Sequence, residues 1–468
     1  METPAATRSR QRPPEAALAR VPAAERVKYT KVIAALEQLA GDGSFAPGER
    51  LPPHRSLARQ LGVTVATLTR AMADLTRRGV LVTRSGSGTF VAAPIASAPA
   101  DGIADLRLCI PPIGPAQAIL GDALASVARL PALFGHEPLG GGGAARVAGA
   151  EWLRLRGLAP AAEDVLVVQG AHEGILAALR AVTRPGDRVL CERLHYTGLR
   201  RLAALLQVEL IGVPVDATGL DTEAFARLCR DLAPRAAVLT PVLQNPTTAT
   251  LSPDGRQAVI AAARAADLVI IEDDINGHLA DAGPPLTLLD PDRVILVTSL
   301  SKSIAPGLRL GHVLAPARFG SAVQSALYAL GWTGSALQTA LATRLIGDGG
   351  AAACLRAQRA EAMARVRLAQ QLLGDAVVVG DGTVAAPRPL YHAWLPMPPG
   401  RGAEAFSAEL LTRRVLVAPA RDFLQDDAPP PEAVRISLGG ESRALLASAL
   451  QRIAGALAQR GPGPGTIV

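Results

Sequence analysis

Seven short runs of branched apolar residues dominate the middle of the chain, at residues 165–168, 189–191, 208–213, 237–239, 268–271, 294–297 and 312–314. Stretches with the apolar spacing of amphipathic helices lie between them. Runs this short, apolar on both faces of a strand, predict a buried, mainly parallel sheet with helices packed on both sides. The same prediction says where function would sit, because ligands of such sheets bind beyond the carboxyl ends of the strands.

The residues that follow those runs carry functional groups. Gln169-Gly170-Ala171-His172-Glu173 opens a helix, so its backbone N–H groups can cradle a phosphate. Glu192-Arg-Leu-His-Tyr196-Thr-Gly198 offers Tyr196, a flat ring that stacks on a cofactor ring or else simply fills the core. Asn245, in Pro241-Val-Leu-Gln-Asn245-Pro246, brings an amide able to donate to a phenolate oxygen, with a plain Asn-Pro turn as the alternative. Glu272, Asp273 and Asp274 end the fifth run. A buried carboxylate is costly without a cation beside it, and a protonated pyridine nitrogen is such a partner. A metal centre is poorly supported, since no second cluster of acids or histidines matches.

Beyond the sixth run stands Val297-Thr-Ser299-Leu-Ser301-Lys302-Ser303-Ile-Ala-Pro306-Gly307-Leu-Arg309-Leu-Gly311. Of 48 basic residues only three are lysines, Lys28, Lys31 and Lys302, so arginine is used almost everywhere except here. An ε-amine condenses with a carbonyl to a Schiff base and sheds its proton when desolvated, whereas a guanidinium does neither. Ser299, Ser301 and Arg309 are suited to grip a phosphate beside that amine. The implied ligand is an aldehyde bearing a phosphate, pyridoxal 5′-phosphate. Near the C-terminus, Val434-Arg435-Ile-Ser-Leu-Gly-Gly440 places Arg435 at the start of a strand. There it can hold an amino-acid-like carboxylate, or lie on a solvated edge.

The charge is unevenly placed. Residues 1–95 hold 14 Lys/Arg against 7 Asp/Glu, and the remainder holds 34 of each, so the net +7 lies in the N-terminal fifth and suggests a polyanion partner for that end. The first residues lack the apolar core of a signal peptide and read as a disordered basic arm. Val32, Ile33, Leu36 and Leu39 then fall on one helical face, stopped at Gly41-Asp-Gly43. A short helix carrying Leu57, Ala58 and Leu61 ends at Gly62. Thr64 can cap the next, on which Leu68, Met72 and Leu75 form the buried stripe while Thr67, Thr69 and Arg70 face elsewhere. Helix, tight turn and helix is the logic of a major-groove reader. Residues 80–83 and 89–91 flank Arg84-Ser-Gly-Ser-Gly88, a hairpin with a flexible basic tip; a three-helix domain with no DNA role is the alternative. Cys109, Cys191, Cys229 and Cys354 have no CxxC spacing and read as reduced core residues of a cytosolic protein. No apolar run approaches the roughly 18 residues of a membrane span.

Two motifs carry a family resemblance. PGERLPxxRxLAxxLGVTxxTLxRAxxxLxxxGxLxxxxGxGTFV resembles the winged helix of GntR-type regulators, and the resemblance covers residues 26–92. The resemblance implies contacts to double-stranded DNA by Arg55, Thr64, Thr67 and Arg70, with Arg50 and the wing residues Ser85 and Gly86. Ser-x-Ser-Lys-x-x-x-Pro-Gly-x-Arg-x-Gly resembles the lysine signature of fold-type I aminotransferases, and the likeness extends over about residues 105–460. Together they are similar to MocR-type regulators. That likeness implies Lys302 as the Schiff-base lysine, Asp273 as the pyridinium partner and Asn245 as donor to the cofactor's O3′. It implies phosphate contacts from Ser299, Ser301, Arg309 and the Gly170-Ala171 backbone, a stacking ring in Tyr196, and a ligand-carboxylate clamp in Arg435.

The implied organisation is α/β: an arm at 1–24, a winged helix-turn-helix at 25–92, a linker at 93–104, a pyridoxal-phosphate-dependent transferase domain of fold type I at 105–460, and a tail at 461–468. A mainly parallel central sheet and a small C-terminal α+β subdomain build the large domain. Departures from the family pattern are Asn276 for a usual Tyr, Gln169 for a common phosphate-binding Ser, Leu194 for a Pro, and residues 134–140 without the Tyr that reaches a partner's site. The expected function is a cytoplasmic, homodimeric transcription factor sensing pyridoxal phosphate or its adduct with a small amino compound, on an operator with repeated half-sites. An active aminotransferase carrying a DNA reader is the alternative, and a large domain that merely dimerises is a third.

Overall fold

The structure, a computed structural model, describes residues 32, 33, 36, 49–77, 80–84, 88–91, 102–216, 218–280, 283–331, 334–379, 387–426 and 428–459. It divides into two units, Met1–Asp101 and Gly102–Val468. The basic arm, Leu39 and the 41–43 stop, the wing residues Ser85 and Gly86, most of the linker and the C-terminal tail lie outside the described residues.

In the smaller unit α1 (His54–Gln60) follows a proline pair that cannot extend a helix backwards. Gly62, at φ +65°, turns the chain in the left-handed region. Thr64 then accepts a hydrogen bond from the Thr67 N–H at 3.1 Å through Oγ1, starting α2 (Val65–Arg77). Leu57, Leu61, Leu68, Ala71, Met72 and Leu75 close one core with Val32, Ile33 and Leu36 from the helix before them. β1 (Leu81–Arg84) and β2 (Gly88–Val91) form an antiparallel hairpin whose Leu81 and Val91 join that core. Burial of each such leucine stabilises the unit by about 1.5–3 kcal/mol relative to exposure.

The larger unit begins with α3 (Gln117–Val127) and α4 (Gly143–Arg154), then alternates: β3 (Val165–Val168), α5 (Ala171–Val182), β4 (Arg188–Glu192), α6 (Gly198–Leu206), β5 (Glu209–Val213), α7 (Thr222–Leu232), β6 (Ala236–Leu239), α8 (Pro253–Ala265) and β7 (Val269–Asp273). β8 (Val294–Ser299) and β9 (Gly311–Leu314) complete a seven-stranded sheet of order β3-β9-β8-β7-β6-β4-β5. All neighbours pair in parallel except β9, which runs antiparallel to β8 and β3. Each strand lies where an apolar run predicted one. Their two-residue period sends Ile271, Cys191 and Val238 to a core with α5, and Ile270, Leu190 and Leu239 to a core with α7 and α8.

After α9 (Ala317–Gly331), α10 (Ala336–Gly347) and the long α11 (Gly350–Leu373), the chain builds the small α+β part: β10 (His392–Pro396), α12 (Ala403–Thr412), β11 (Ala418–Pro419), β12 (Ala433–Ser437) and α13 (Arg443–Ala458). β12 is the central strand, antiparallel to both β10 and β11. Ala104, which the sequence places in the linker, is buried and pairs with Val415 of this part.

Candidate functional site

The carboxyl ends of β3, β4, β6, β7 and β8 converge on a cavity of about 560 Å³. Its wall includes Ala171, Tyr196, Asn245, Asp273, Ser299, Ser301, Lys302, Arg309 and Arg435, so the candidates of the larger unit, scattered over 265 positions, meet in one place. Cys109, His172, Asn276 and His392 share that wall.

Parity decides which acid of β7 faces the pocket. Asp273 follows Ile271 onto the pocket side. Glu272 points the other way, where it accepts hydrogen bonds from the N–H groups of Leu286 at 2.9 Å and Thr287 at 3.2 Å. Asp274, past the strand end, is held bidentately by buried Arg156 at 2.8 and 3.0 Å. Asp273 alone is left with an unsatisfied oxygen: Oδ1 is buried and has no hydrogen-bond partner among the described residues. Burial pushes its carboxyl up to about 7, with Asp274 adding to the rise and the Ile275 backbone N–H and the Lys302 ammonium opposing it. An acceptor so placed fits a protonated ring nitrogen, since an orphaned buried group otherwise costs about 1–3 kcal/mol.

Arg309 is a non-glycine residue in the left-handed region, at φ +45°. Such conformations cost about 1–3 kcal/mol and persist where the surroundings impose them. Gly170, at φ +89°, precedes α5, and a Cβ there would lie 3.4 Å from Arg309 Nη2, so the guanidinium rests against the helix start. The first N–H groups of α5, its dipole and Arg309 together form an anion cradle. Ser299 Oγ, accepting from the Ser301 N–H at 3.1 Å, fixes the turn before Lys302. Ser301 Oγ is buried with no partner among the described residues. These groups fit a phosphate. Lys302 sits at the cavity wall and donates through Nζ to the carbonyl of Cys109.

Tyr196 packs its ring over Gly198, where a Cβ would stand 2.3 Å from the ring carbon Cε1. It meets His172 edge-on, centroids 6.1 Å apart at 89°, and remains 38% exposed, so its face is open to a flat ligand. Arg435 is buried on β12, stacked over Phe423 at 4.6 Å. Nη1 donates to Asn245 Oδ1 at 2.7 Å and Nη2 to the Arg107 carbonyl, while Nε has no partner among the described residues. The solvated-edge alternative for this arginine is thereby removed.

One reading needs revision. Cys109 is not a core residue: unlike buried Cys191, Cys229 and Cys354 it is partly exposed and lines the cavity. Its neighbour there, His392, belongs to β10, and no local motif links the two. Asn276 is buried and its Nδ2 donates to the Leu243 carbonyl at 2.8 Å, so the amide is committed to the scaffold. Among the described residues no group of three or more His, Cys, Asp or Glu could hold a metal ion.

In the smaller unit Arg50, Arg55, Thr64 and Arg70 are exposed, and Thr67 is partly so. Thr64 and Thr67 hydroxyls lie 2.9 Å apart, and Thr69 Oγ1 is 3.3 Å from His54 Nδ1, tying α2 to α1. Arg50 bridges to Phe90 of β2, and its side chain runs beside Gly88, where a Cβ would come within 2.8 Å of its Nε.

Comparison with known proteins agrees with this division. Residues 137–453 match the model of the aminotransferase class I and II family, and residues 28–91 that of the bacterial regulatory proteins of the gntR family. The HTH-type transcriptional regulator TauR of Rhodobacter capsulatus is 31% identical over 89% of this chain and 93% of its own. The HTH-type pyridoxine biosynthesis transcriptional regulator PdxR of Corynebacterium glutamicum is 33% identical over 74% and 79%. Among solved structures, the α-aminoadipate aminotransferase LysN of Thermus thermophilus, complexed with N-(5′-phosphopyridoxyl)-L-leucine, superposes with a TM-score of 0.68 at 22% identity, covering 76% of this chain and 92% of that one.

Proposed function

The chain belongs to the MocR-type regulators, a gntR-family reader joined to an aminotransferase class I and II domain, and from that premise we propose that it is a transcription factor whose DNA binding reports what occupies the Lys302 pocket. The occupant is pyridoxal 5′-phosphate or its adduct with a small amino compound. When bound, it supplies an aldehyde for covalent attachment to Lys302, a ring nitrogen and a phosphate. The observation that carries the reading is the unsatisfied Asp273 Oδ1, buried in the same wall as Lys302. Asp273 would hold the ring nitrogen protonated. Asn245 would donate to the ring oxygen, Tyr196 would cover the ring face, and Arg309, Ser299, Ser301 and the start of α5 would hold the phosphate. Arg435, with Nε to spare, would take a carboxylate on the amino compound.

Sensing is favoured over turnover by Asn276, whose amide is bound to the Leu243 carbonyl and cannot replace a phenol at the ring oxygen. A homodimer is part of the proposal. α3 and the turn Pro131–Phe134 pack against α10, and exposed Leu124, Leu130, Leu337 and Phe134, the last 90% exposed, leave an apolar surface for a second copy. Two copies place two α2 helices on DNA, which asks for repeated half-sites. No described helix is long and apolar enough to cross a membrane, and a cytoplasmic location is part of the proposal.

The test is fluorescence anisotropy of full-length protein on the DNA upstream of its own gene at physiological salt, with and without pyridoxal phosphate, beside Lys302→Ala. Selective binding that changes with the cofactor in wild type, and not in the variant, is expected. Absence of selective binding in both conditions would sink the proposal.

A further inference from the structure

A thiol stands beside Lys302, and nothing proposed so far uses it. Cys109 Sγ lies 3.7 Å from His392 Nδ1 and 3.5 Å from the Tyr391 carbonyl oxygen. On the other side of the imidazole, His392 Nε2 faces the Gln244 carbonyl oxygen at 3.1 Å. A carbonyl can only accept, so Nε2 carries a proton and Nδ1 is the ring nitrogen turned to Cys109. Lys302 Nζ donates to the carbonyl of residue 109 itself, which holds an ammonium against the same residue.

The charged and titratable groups facing Cys109 are Lys302, His392, Arg435 and the Tyr391 phenol. Burial pushes the Cys109 thiol up, but the Lys302 ammonium, the His392 contact and Arg435 outweigh it and bring it down to about 5. Burial moves the other three cysteines the opposite way, Cys229 up to about 11 and Cys191 and Cys354 also upward. A thiolate rather than a thiol is the nucleophile, so chemistry at sulfur is directed to one position of four. A second feature points to an anion here: Arg435 Nε, in a residue only 7% exposed, has no partner among the described residues and belongs to the same cavity wall.

We propose that Cys109 is an oxidisable modification site inside the pocket, with His392 as proton acceptor, Arg435 as anion partner and hydroperoxides as the substrate class. The proton the thiol has given up rests on His392 Nδ1, and the thiolate sulfur attacks one peroxide oxygen. The S–O bond forms as the O–O bond breaks, sulfur is oxidised by two electrons and the peroxide is reduced. The departing hydroxide, or alkoxide from an organic hydroperoxide, takes the proton back from His392 and leaves as water or the alcohol, giving a sulfenic acid. Its oxygen would stand beside Lys302 Nζ, so oxidation and occupancy of the amine compete for one space; this consequence alone rests on the function proposed above.

The test uses full-length protein prepared without cofactor. Hydrogen peroxide followed by dimedone and peptide mass spectrometry should mark Cys109 and leave Cys191, Cys229 and Cys354 unmarked. Iodoacetamide alkylation of Cys109 should change less than about three-fold between pH 6 and pH 8, where an ordinary thiol changes nearly 100-fold. His392→Gln should move the midpoint of that profile upward by at least a unit. No dimedone adduct on Cys109, or an alkylation rate rising about ten-fold per pH unit in wild type, overturns the site whatever the variant does. An unmoved midpoint in a folded His392→Gln overturns the part given to His392.

Discussion

Arg435 Nη1 donates to Asn245 Oδ1 at 2.7 Å, joining residues 190 positions apart in the chain. A guanidinium has no acceptor, so the bond fixes which end of the amide faces it and leaves Nδ2 as the end available to a pocket occupant. The proposed ring-oxygen donor and the proposed carboxylate clamp are therefore one hydrogen-bonded unit, and what perturbs the first moves the second.

Asn245→Asp separates the two roles. Aspartate still accepts from Arg435 but has no donor for a ring oxygen. Affinity for pyridoxal phosphate, followed by absorption titration, should fall at least ten-fold, about 1.4 kcal/mol. The thermal midpoint of the cofactor-free protein should change by no more than a degree or two. Unchanged affinity would remove Asn245 from the ring-oxygen contact.

Asp273 makes stability depend on pH. Its carboxyl is raised from 3.8 to about 7, so the folded chain binds this proton more tightly than the unfolded one. The stability it contributes is complete below about pH 4 and is lost as pH rises through about 7. A shift of about three units corresponds to at most roughly 4 kcal/mol. Cofactor-free Asp273→Asn should therefore melt several degrees above wild type at about pH 8, with the difference shrinking toward pH 5. Saturating pyridoxal phosphate should reverse the order at pH 8. A variant less stable than wild type without cofactor at pH 8 would show that Asp273 is already paired.

Arg309 is expected to act on the phosphate and on nothing else. Arg309→Leu should weaken pyridoxal phosphate about 100-fold, close to 2.7 kcal/mol, and leave the affinity for phosphate-free pyridoxal within about two-fold. Equal losses for both ligands would mean that the substitution collapsed the Gly170 turn rather than removing an anion contact.

In the smaller unit two substitutions should behave differently. Thr64→Ala removes the cap on α2 and should cost about 1 kcal/mol of stability in the isolated unit, read by thermal melting. Arg55→Ala should leave the melt unchanged, weaken DNA binding and lower the slope of log affinity against log salt by about 1 if it meets a phosphate. An unaltered slope would move Arg55 off the backbone.

Local pattern carried much of the fold. The seven strands fall within one residue of their apolar runs, except that β7 and β8 extend two residues further, into Asp273 and Ser299. Polar residues ending a strand look like loop in a sequence, and only pairing with neighbours shows that they are still in the ladder. Thr64 was legible as a cap because capping is a contact over three residues. Lys302 stood out because the chain avoids lysine elsewhere.

What the sequence by itself determined is the alternation, the two-part organisation and the residue types at each strand end, since these rest on periods of two and three to four residues and on side-chain chemistry. Tertiary structure alone decided the rest. It turned Asp273 to the pocket while giving Glu272 the Leu286 and Thr287 amides and Asp274 the Arg156 guanidinium. It brought His392 to Cys109 across 283 positions and Arg435 to Asn245 across 190. Contacts made through strand order and the docking of a separate sheet leave no periodic trace, because their partners are set by the path of the chain and not by neighbours along it.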